Sequence, residues 1–474
     1  MATNGTLTGW MDPPNGRGTF DILKTSLLTI FLLAWSSVCP NLPSITHSGS
    51  WWKRFSSKIK VFSLAILGPE FVFLMALGQF CAASRAKKAF SDAGYSGWNL
   101  RLCFFTNMGG IHLTFEDRKA AGRPSFPVDC EQLLQLVRDH YVDMPKITLE
   151  DIDDRNKSDS LARGIAIVQS LWFLTNSIGR LAQGLHLTTL ELTTLSFVFA
   201  MTGCSICWWR KPMDISRPML FPAGLELKTI LVNAVAPTPL RGRTPLSFLN
   251  RNEWSMSQHW AYMKQLLRNA VLRQGHQRDP AEADHFLSTG FEKLELKWEV
   301  FCGPFILMYS GIFLAAWNFQ FPTYLEQLLW RIAGILTLAF FVTGAITEFA
   351  ELYGLRIQKA FSKLIKETHA SHGPRGSDTQ RVVLGDTAHD NRSSRRHKLS
   401  LSKIHAWFDG MRNISPDRDP EMAIALRWSV PMTLACAMYC FSRIYFLTED
   451  LIGLRALPPS AYENVDFGPY SPIL

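Results

Sequence analysis

Two apolar stretches decide the fold: residues 297–318, KWEVFCGPFILMYSGIFLAAWN, and residues 326–347, EQLLWRIAGILTLAFFVTGAIT. A helix of about 20 apolar residues crosses the roughly 30 Å hydrocarbon core of a bilayer. Only a short connection that contains Pro322 joins the two stretches. They therefore predict an antiparallel hairpin of two membrane-spanning helices.

Five further stretches are long and apolar enough for the same role. The seven predicted spans are residues 20–38, 60–83, 160–182, 188–209, 297–318, 326–347 and 423–446. Every backbone polar group inside a bilayer must be paired within the protein, so stretches of this kind form helices. The sequence predicts an all-α fold, a polytopic transmembrane helical bundle of about seven spans with long polar loops.

The spans divide the 474-residue chain into tails, spans and loops. In order, these are an N-terminal tail (1–19), spans one and two (20–83), a loop (84–159), a helical hairpin of spans three and four (160–209), a long loop (210–296), the hairpin of spans five and six (297–347), a basic, partly disordered loop (348–422), span seven (423–446) and a C-terminal tail (447–474). Within the loops we predict an interfacial or re-entrant apolar segment at Leu102–Leu113, a soluble helix at Glu253–Gln274 and a basic amphipathic helix at Tyr353–His369.

The composition indicates a membrane protein and argues against nucleic-acid binding. Hydrophobic residues make up 47% of the chain and charged residues 19%, whereas ordinary soluble domains have about 25% charged residues. The formal net charge is +9, and much of the basic excess lies in the loop 348–422. Basic segments beside a membrane attract anionic lipid headgroups. We therefore expect the lipid bilayer and anionic headgroups at the basic loop as partners, and no nucleic acid.

Glu70 is the sharpest candidate for chemistry. It follows Pro69 near the middle of the second predicted span, where proline interrupts the helical hydrogen bonds. A carboxylate at this depth is costly unless it is paired, hydrated or protonated. Glu70 is therefore either a general acid or proton-handling group or a structural acid that bonds to a neighbouring helix.

Two other charged residues are candidate partners of Glu70. Glu191 opens the fourth predicted span, where an acid also favours the helix dipole without any catalytic role. Arg331 lies about one turn inside the sixth predicted span, where it either pairs with a buried acid or extends its head towards water. We predict Glu70, Glu191 and Arg331 as the catalytic group.

No cofactor or metal site is predicted. The chain has no HExxH, P-loop, GxSxG or CxxCH motif, and its histidines are scattered. The acidic run at residues 151–159 is either the charged start of a helix or a site for Mg²⁺ and a diphosphate. Cys204 and Cys207 have CxxC spacing, but inside an apolar span this favours helix packing over redox or metal chemistry.

The orientation of the spans is ambiguous. The positive-inside rule assigns the loops after spans two, four and six to the cytosol, and with seven spans it also places the N-terminus there. The basic first loop, with Lys53, Arg54 and Lys58, opposes this assignment. Four sequons for N-glycosylation fall on the side that is counted as cytosolic, namely Asn4, Asn156, Asn391 and Asn413.

Short motifs are spaced nearly from end to end of the chain. They are GRGTFDI (16–22), PNLP (40–43), LGPE (67–70), NMGG (107–110), DRNKSD (154–159), TTLE (188–191), WWRKPMD (208–214), NFQFPT (318–323), LWR (329–331) and LPPSAY (457–462). Through these motifs the chain resembles a family of uncharacterised fungal multi-pass membrane proteins. The resemblance implies a fungal, membrane-embedded origin, with some members beside secondary-metabolite genes, but no established activity. It also implies histidines where this chain has Cys39, Leu102 and Ile473, so a site built on them would be lost here.

These observations leave three functional hypotheses. The first is a membrane-embedded cyclase or isomerase of fungal secondary metabolism that acts on a lipophilic terpenoid or polyketide intermediate by acid–base chemistry. The second is a transporter or exporter of a small lipophilic metabolite, with Glu70 coupling proton movement to transport. The third is a receptor or scaffold without chemistry. The endoplasmic reticulum or another endomembrane is the expected location.

Overall fold

The computed structural model describes residues 8–12, 17–43, 51–121, 125–154, 160–215, 217–233, 244–250, 257–264, 285–371, 426–466 and 468. The chain divides into two compact units. The first comprises residues 1–257, 276–341 and 435–474, and the second comprises residues 258–275 and 342–434. All side-chain contacts reported below lie within the first unit.

The described chain is mostly helical and has one small sheet. Its helices are α1 (Thr19–Ser37), α2 (Trp51–Leu67), α3 (Pro69–Asp92), α4 (Leu100–Asn107), α5 (Cys130–Arg138), α6 (Leu149–Asp153), α7 (Ser160–Ala182), α8 (Thr189–Cys207), α9 (Leu227–Asn233), α10 (Leu296–Ala315), α11 (Tyr324–Ser371) and α12 (Leu426–Ile452). The strands are β1 (Ile111–Thr114), β2 (Ser125–Pro127) and β3 (Met219–Pro222). The sheet is a departure from the predicted all-α class.

Among the described residues, five helical segments are long and apolar enough to cross a membrane. They are Thr19–Ser37, Thr189–Cys207, Leu296–Asn318, Tyr324–Thr347 and Val430–Arg455. The first four match predicted spans, and the last lies several residues beyond the predicted 423–446. A helix also forms at the predicted span 160–182, as α7, but it is not among the five. The prediction of seven spans is thus confirmed only in part.

Contacts at both ends of α1 and α8 show the relative direction of these two helices. Arg17, just before α1, forms an ion pair with Glu191 in the first turn of α8. At the other end of the same two helices, the hydroxyls of Ser37 and Ser205 are 2.8 Å apart. Therefore α1 and α8 run parallel. We call the end near Arg17 and Glu191 the tail end and the end near Ser37 and Ser205 the sheet end.

The second predicted span, 60–83, is not one helix. It is broken at Gly68 into α2 and α3, which are bent by 119°. Gly68 has non-helical dihedral angles (φ −159°, ψ 77°), and Pro69 occupies the first turn of α3, where its fixed φ and missing N–H are tolerated. The break therefore follows from the Gly-Pro pair.

Both open ends of the α2–α3 pair lie at the sheet end. Lys58 in α2 forms an ion pair of 3.4 Å with Asp214, which follows α8. Gln79 in α3 accepts a hydrogen bond of 2.8 Å from Lys211, also after α8. The pair thus enters the bundle from the sheet end, turns at Gly68 and returns to the same end.

The apolar segment predicted at Leu102–Leu113 forms α4 and β1 of a small folded layer. Strand β1 lies at the centre of the sheet, antiparallel to β2 and parallel to β3. Its Ile111 and Leu113 side chains are fully buried. Gly109, with φ +87°, permits the tight connection between α4 and β1, because glycine adopts positive φ without strain. The segment is therefore not a continuous apolar hairpin, and its position at a membrane interface stays a prediction.

Aromatic rings fill the centre of the bundle between α3, α8 and α10. The rings of Phe73 and Phe305 are stacked with centroids 3.7 Å apart. Gly203 on α8 faces them, and a Cβ at this position would lie 2.8 Å from Phe73 and 3.0 Å from Phe305. Because glycine has only a hydrogen in place of the Cβ, the three helices can approach closely here.

Several predictions fall on residues that the structure does not describe. The glycosylation candidates Asn4, Asn156, Asn391 and Asn413 lie outside the described residues, as do residue Ile473 and most of the loop 348–422 beyond position 371. Of the helix predicted at 253–274, only residues 257–264 are described, and they are helical. The predicted basic helix at 353–369 is helical, as the last part of α11.

Candidate functional site

Glu70 lies at the apex of the α2–α3 pair and is fully buried. It is the second residue of α3 and has 0% exposure. The hydroxyl of Tyr439 on α12 donates a hydrogen bond to its Oε1. Its Oε2 atom has no hydrogen-bond partner among the described residues. One carboxylate oxygen is therefore held by a phenol while the other remains available.

An arginine on α12 completes the surroundings of Glu70. Arg443 follows Tyr439 by four residues, so both side chains project from one face of the helix. Its Nε donates a hydrogen bond of 2.9 Å to the Leu67 carbonyl, at the break that precedes Pro69. Arg443 thus satisfies a carbonyl next to the helix break and carries a positive charge to the site.

A second tyrosine joins this group from α10. Tyr309 is fully buried, and its hydroxyl accepts a hydrogen bond of 3.0 Å from Nη1 of Arg443. It also lies close enough to interact electrostatically with Glu70. Because its oxygen accepts from the guanidinium, its own proton is free to point towards the carboxylate. We call Glu70, Tyr309, Tyr439 and Arg443 the Glu70 cluster.

The Glu70 cluster has the composition of a proton-transfer site. One carboxylate and one guanidinium balance each other's charge, which reduces the cost of burying both. The Tyr439 hydroxyl donates a hydrogen bond that stabilises the buried carboxylate, and the Tyr309 hydroxyl lies near enough to interact with it electrostatically. An acid in such a setting can give a proton to a bound molecule or take one from it.

The other two predicted site residues do not join this cluster. Glu191 caps the start of α8, where its Oε2 accepts hydrogen bonds from Thr188 N at 3.0 Å and Thr188 Oγ1 at 2.9 Å, and it pairs with Arg17. Arg331 donates to the Trp317 carbonyl at 2.9 Å and lies over the Trp317 ring. The structure therefore separates Glu191 and Arg331 from Glu70.

The sequence contained an indication that Arg443 is a neighbour of Glu70. Arg443 is a charged residue inside the seventh predicted span, as Glu70 is inside the second. Two opposite charges within apolar spans are natural partners, since each is costly alone. The tyrosines carried no such signal, because a tyrosine in an apolar span is common.

A buried lysine gathers a second group of motif residues at the sheet end. The Lys211 ammonium is 3% exposed. It donates hydrogen bonds to Cys39 O at 2.8 Å, Asn41 Oδ1 at 3.1 Å and Gln79 Oε1 at 2.8 Å. Burial lowers the pKa of Lys211 below its ordinary value and raises the pKa of the neighbouring Cys39 thiol. We call these four residues the Lys211 cluster.

The Lys211 cluster connects three motifs that are far apart in the sequence. PNLP (40–43) supplies Asn41, and WWRKPMD (208–214) supplies Lys211. The NMGG motif (107–110) joins through a backbone hydrogen bond of 2.9 Å from Leu42 N to Met108 O. The ammonium is buried and donates to three acceptors, of which Cys39 is buried and Asn41 and Gln79 are half-buried, and this arrangement favours a structural role for the cluster.

A third group of motif residues lies at the tail end. The Arg180 guanidinium donates hydrogen bonds to four backbone carbonyls, those of His186, Ser460, Ala461 and Glu463, at 2.8 to 3.2 Å. Main-chain hydrogen bonds of 2.9 and 3.0 Å also join Thr8 and Leu457. The N-terminal and C-terminal tails are therefore held together at this end.

The described residues contain no group of three or more His, Cys, Asp or Glu side chains that is suited to a metal ion. Part of the acidic run 151–159 is described: Asp151 caps α6 through Thr148, and Asp153 pairs with Arg101. These contacts fit the charged start of a helix better than a diphosphate site. Cys204 and Cys207 are both free and buried.

Comparison with known proteins identifies a family but no activity. Residues 1–237 match the sequence profile of a family described as "Family of unknown function (DUF8562)". No curated protein and no solved structure matches the chain.

Proposed function

Because the chain belongs to DUF8562, a family of unknown function, we propose its function from the geometry of the Glu70 cluster. The protein is an integral membrane protein in which Glu70 performs acid–base chemistry on a lipophilic small molecule. The reaction is a cyclisation or isomerisation of a terpenoid or polyketide intermediate of fungal secondary metabolism. The endoplasmic reticulum or another endomembrane is the location.

The proposed topology has six crossing helices and one re-entrant pair. The crossing helices are α1, α7, α8, α10, α11 and α12, and the α2–α3 pair enters and leaves at the sheet end. An even number of crossings agrees with the joined tails, since the hydrogen bonds between Thr8 and Leu457 require both tails at one end. Irregular backbone at membrane depth is tolerated where protein surrounds it, as it does at Gly68.

This topology removes the conflict between the basic first loop and the positive-inside rule. Lys53, Arg54 and Lys58 lie in α2, the basic segment 85–88 lies in the second half of α3, and the segment 210–211 follows α8. In the proposed topology all of them lie at the sheet end. The positive-inside rule then places the sheet end in the cytosol and both tails on the opposite side.

One observation carries the proposed chemistry: a fully buried carboxylate with an unpartnered oxygen, held by a phenol and close to a guanidinium.

Ring contacts pair Phe80 with Trp298 and Phe73 with Phe305, so α3 and α10 run antiparallel. Eleven residues separate Trp298 from Tyr309, which is about 16 Å along a helix. The Glu70 cluster is thus near the middle of a hydrocarbon core of about 30 Å.

The residues have separate roles in the proposed proton transfer. Glu70 Oε2 gives a proton to an alkene, epoxide or carbonyl of the bound molecule, and the same or another carbon later returns one. Tyr439 stabilises the carboxylate that remains through the hydrogen bond to Oε1. Arg443 and Tyr309 balance its charge, and the surrounding aromatic rings exclude water from a reactive cation.

Complementation of a gene deletion tests this proposal. Host cells without the gene receive the wild type, Glu70→Gln, Tyr439→Phe or the control Glu299→Gln, and metabolites are profiled in cells and medium separately. Glu299 is a partly buried acid near the start of α10, so its change is chemically matched. We expect a precursor one step short of a product to accumulate with Glu70→Gln and not with Glu299→Gln. Normal product from well-expressed Glu70→Gln would refute the acid–base role.

A second function, proton-coupled export of a lipophilic metabolite, is favoured by the break at Gly68. Discontinuous helices at mid-membrane depth form the binding sites of many transporters. In that case Glu70→Gln would leave the finished product inside the cells and deplete it in the medium. No change in either compartment on deletion would exclude both functions and favour a receptor or scaffold.

A further inference from the structure

Two adjacent acids on α12 have no role in the Glu70 cluster. Glu449 and Asp450 lie in the last turn of α12 at the tail end and are 3% and 1% exposed. They face the first turns of α8, where Thr189 and Thr193 lie beside Asp450. Two buried acids next to each other repel unless something of positive charge lies between or beside them.

Several oxygen atoms converge at this place, where the hydroxyls of Thr189 and Thr193 interact with the Asp450 carboxyl group. Both carboxylate oxygens of Asp450, Oε1 of Glu449 and Oγ1 of Thr193 are buried, and in the described part of the chain none has a hydrogen-bond partner. Thr193 is itself 4% exposed. Unsatisfied buried oxygens are rare in native proteins, and an ion or water that bridges them is a usual reason.

The nearby positive side chains are occupied elsewhere. Arg443, seven residues before Asp450, bonds to Leu67 and Tyr309. Arg455 pairs with Glu326. Both arginines still interact electrostatically with the two acids, Arg443 with Asp450 and Arg455 with Glu449, although each already balances another acid. The N-terminus of α8 adds about half a charge. Together these contributions balance the two carboxylates only in part, so about one further positive charge is required.

Space for an ion is kept open by a glycine. Gly453 is buried at the end of α12. A Cβ at this position would lie 3.3 Å from Oε1 of Glu449 and 3.7 Å from Oγ1 of Thr189. The two oxygens therefore border the same small volume, which a side chain at position 453 would begin to fill.

We propose that Glu449, Asp450, Thr189 and Thr193 bind one sodium ion at the tail end of the bundle. The donors are all oxygen atoms, which suits a hard cation. Two carboxylates, a helix N-terminus of about half a charge and the fields of Arg443 and Arg455 leave a net negative charge closer to one than to two, so a monovalent ion fits better than a divalent one. This site is separate from the Glu70 cluster and holds whether or not Glu70 is catalytic.

Thermal unfolding of the purified full-length protein in detergent tests the site. Tm is measured at pH 8 while NaCl replaces choline chloride at constant ionic strength, with KCl and CaCl₂ in parallel. The variants are Asp450→Asn, Thr193→Val and Gly453→Ala. The control is Thr194→Val, because the Thr194 hydroxyl is also buried on α8 but donates to Leu190 O at 2.7 Å.

We expect Tm of the wild type and of Thr194→Val to rise with NaCl and to saturate. Asp450→Asn should raise the half-saturating concentration by about ten- to a hundredfold, since a charged ligand is lost. Thr193→Val should raise it by a smaller factor with its fold intact, so the test remains informative if Asp450→Asn does not fold. Equal Tm in sodium and choline, a response to calcium alone, or an unchanged sodium response in Asp450→Asn and Thr193→Val would each overturn the proposal.

Discussion

Replacement of Lys211 by methionine should destabilise the protein strongly, although the residue lies outside the Glu70 cluster. The change removes three hydrogen bonds from a buried ammonium to Cys39 O, Asn41 Oδ1 and Gln79 Oε1. Gln79 keeps one donor, because Trp208 Nε1 also bonds to its Oε1 at 3.0 Å. Two acceptors lose this donor entirely, the buried carbonyl of Cys39 and the amide oxygen of the half-buried Asn41.

The size of the effect follows from these two acceptors. Each buried acceptor without a partner costs about 1–3 kcal/mol, and relief from burying the ammonium offsets part of this. We expect a loss of about 3 kcal/mol in the free energy of unfolding, or roughly 6 °C in Tm at about 2 °C per kcal/mol for a large domain. The control is Lys87→Met, since Lys87 is exposed on α3.

The pH dependence gives a second, independent readout. Burial lowers the folded-state pKa of Lys211 from 10.5, so between the folded and unfolded pKa the unfolded chain binds the additional proton. Stability attributable to Lys211 then rises as pH increases through this window. Cys39 acts in the opposite direction, because burial raises its pKa. The charge of Lys211 lowers the Cys39 pKa, so Lys211→Met raises this pKa further and widens the same difference between wild type and variant at alkaline pH. Equal Tm for Lys211→Met and Lys87→Met, or a difference that does not change up to about pH 10, would refute the reasoning.

Three further predictions use other parts of the molecule. Gly203→Ala should reduce the free energy of unfolding by about 1–3 kcal/mol, because the added methyl group overpacks against Phe73 and Phe305. Gly164→Ala should be tolerated, because nothing lies within 4 Å of a Cβ at that position. Thermal unfolding of both variants tests this difference. Burial lowers the pKa of His186 from 6.5 to about 4, so stability should fall as pH drops from about 6.5 to 4, and His186→Phe should lose this dependence in melts across that range. If the tails face away from the cytosol, glycosidase treatment should reduce the mass of the wild type but not of Asn4→Gln, and an unchanged wild-type mass would count against that orientation.

The separation of Glu191 and Arg331 from Glu70 shows where the sequence-based prediction of the site failed. All three were selected as charged residues within or at the ends of apolar stretches. Glu191 has a local explanation, the cap with Thr188, and Arg331 has another in Trp317. Which charged residues meet depends on helix order and on the faces that pack together. Hydropathy determines neither.

The predicted second span is broken in the structure, for a related reason. Its length and apolarity were correct for a membrane segment, and the Gly68-Pro69 pair marked a place where the helix must be interrupted. A proline alone permits either a kink within a crossing helix or a reversal of direction. The bonds from Lys211 to Gln79 and from Lys58 to Asp214 select the reversal. They join residues more than a hundred positions apart.

The sequence by itself determined the features that depend on local chemistry. Long apolar runs must form helices because their backbone groups have no other partners in lipid, and Gly68-Pro69 must break one of them. The sequence also identified Glu70 as a carboxylate in unfavourable surroundings. Only the tertiary structure decided that the broken helix returns to its own end, that Tyr309, Tyr439 and Arg443 surround Glu70, and that Asp450 lies beside Thr193. These arrangements come from packing between distant segments, where several helix orders bury similar apolar area and the particular hydrogen bonds select one.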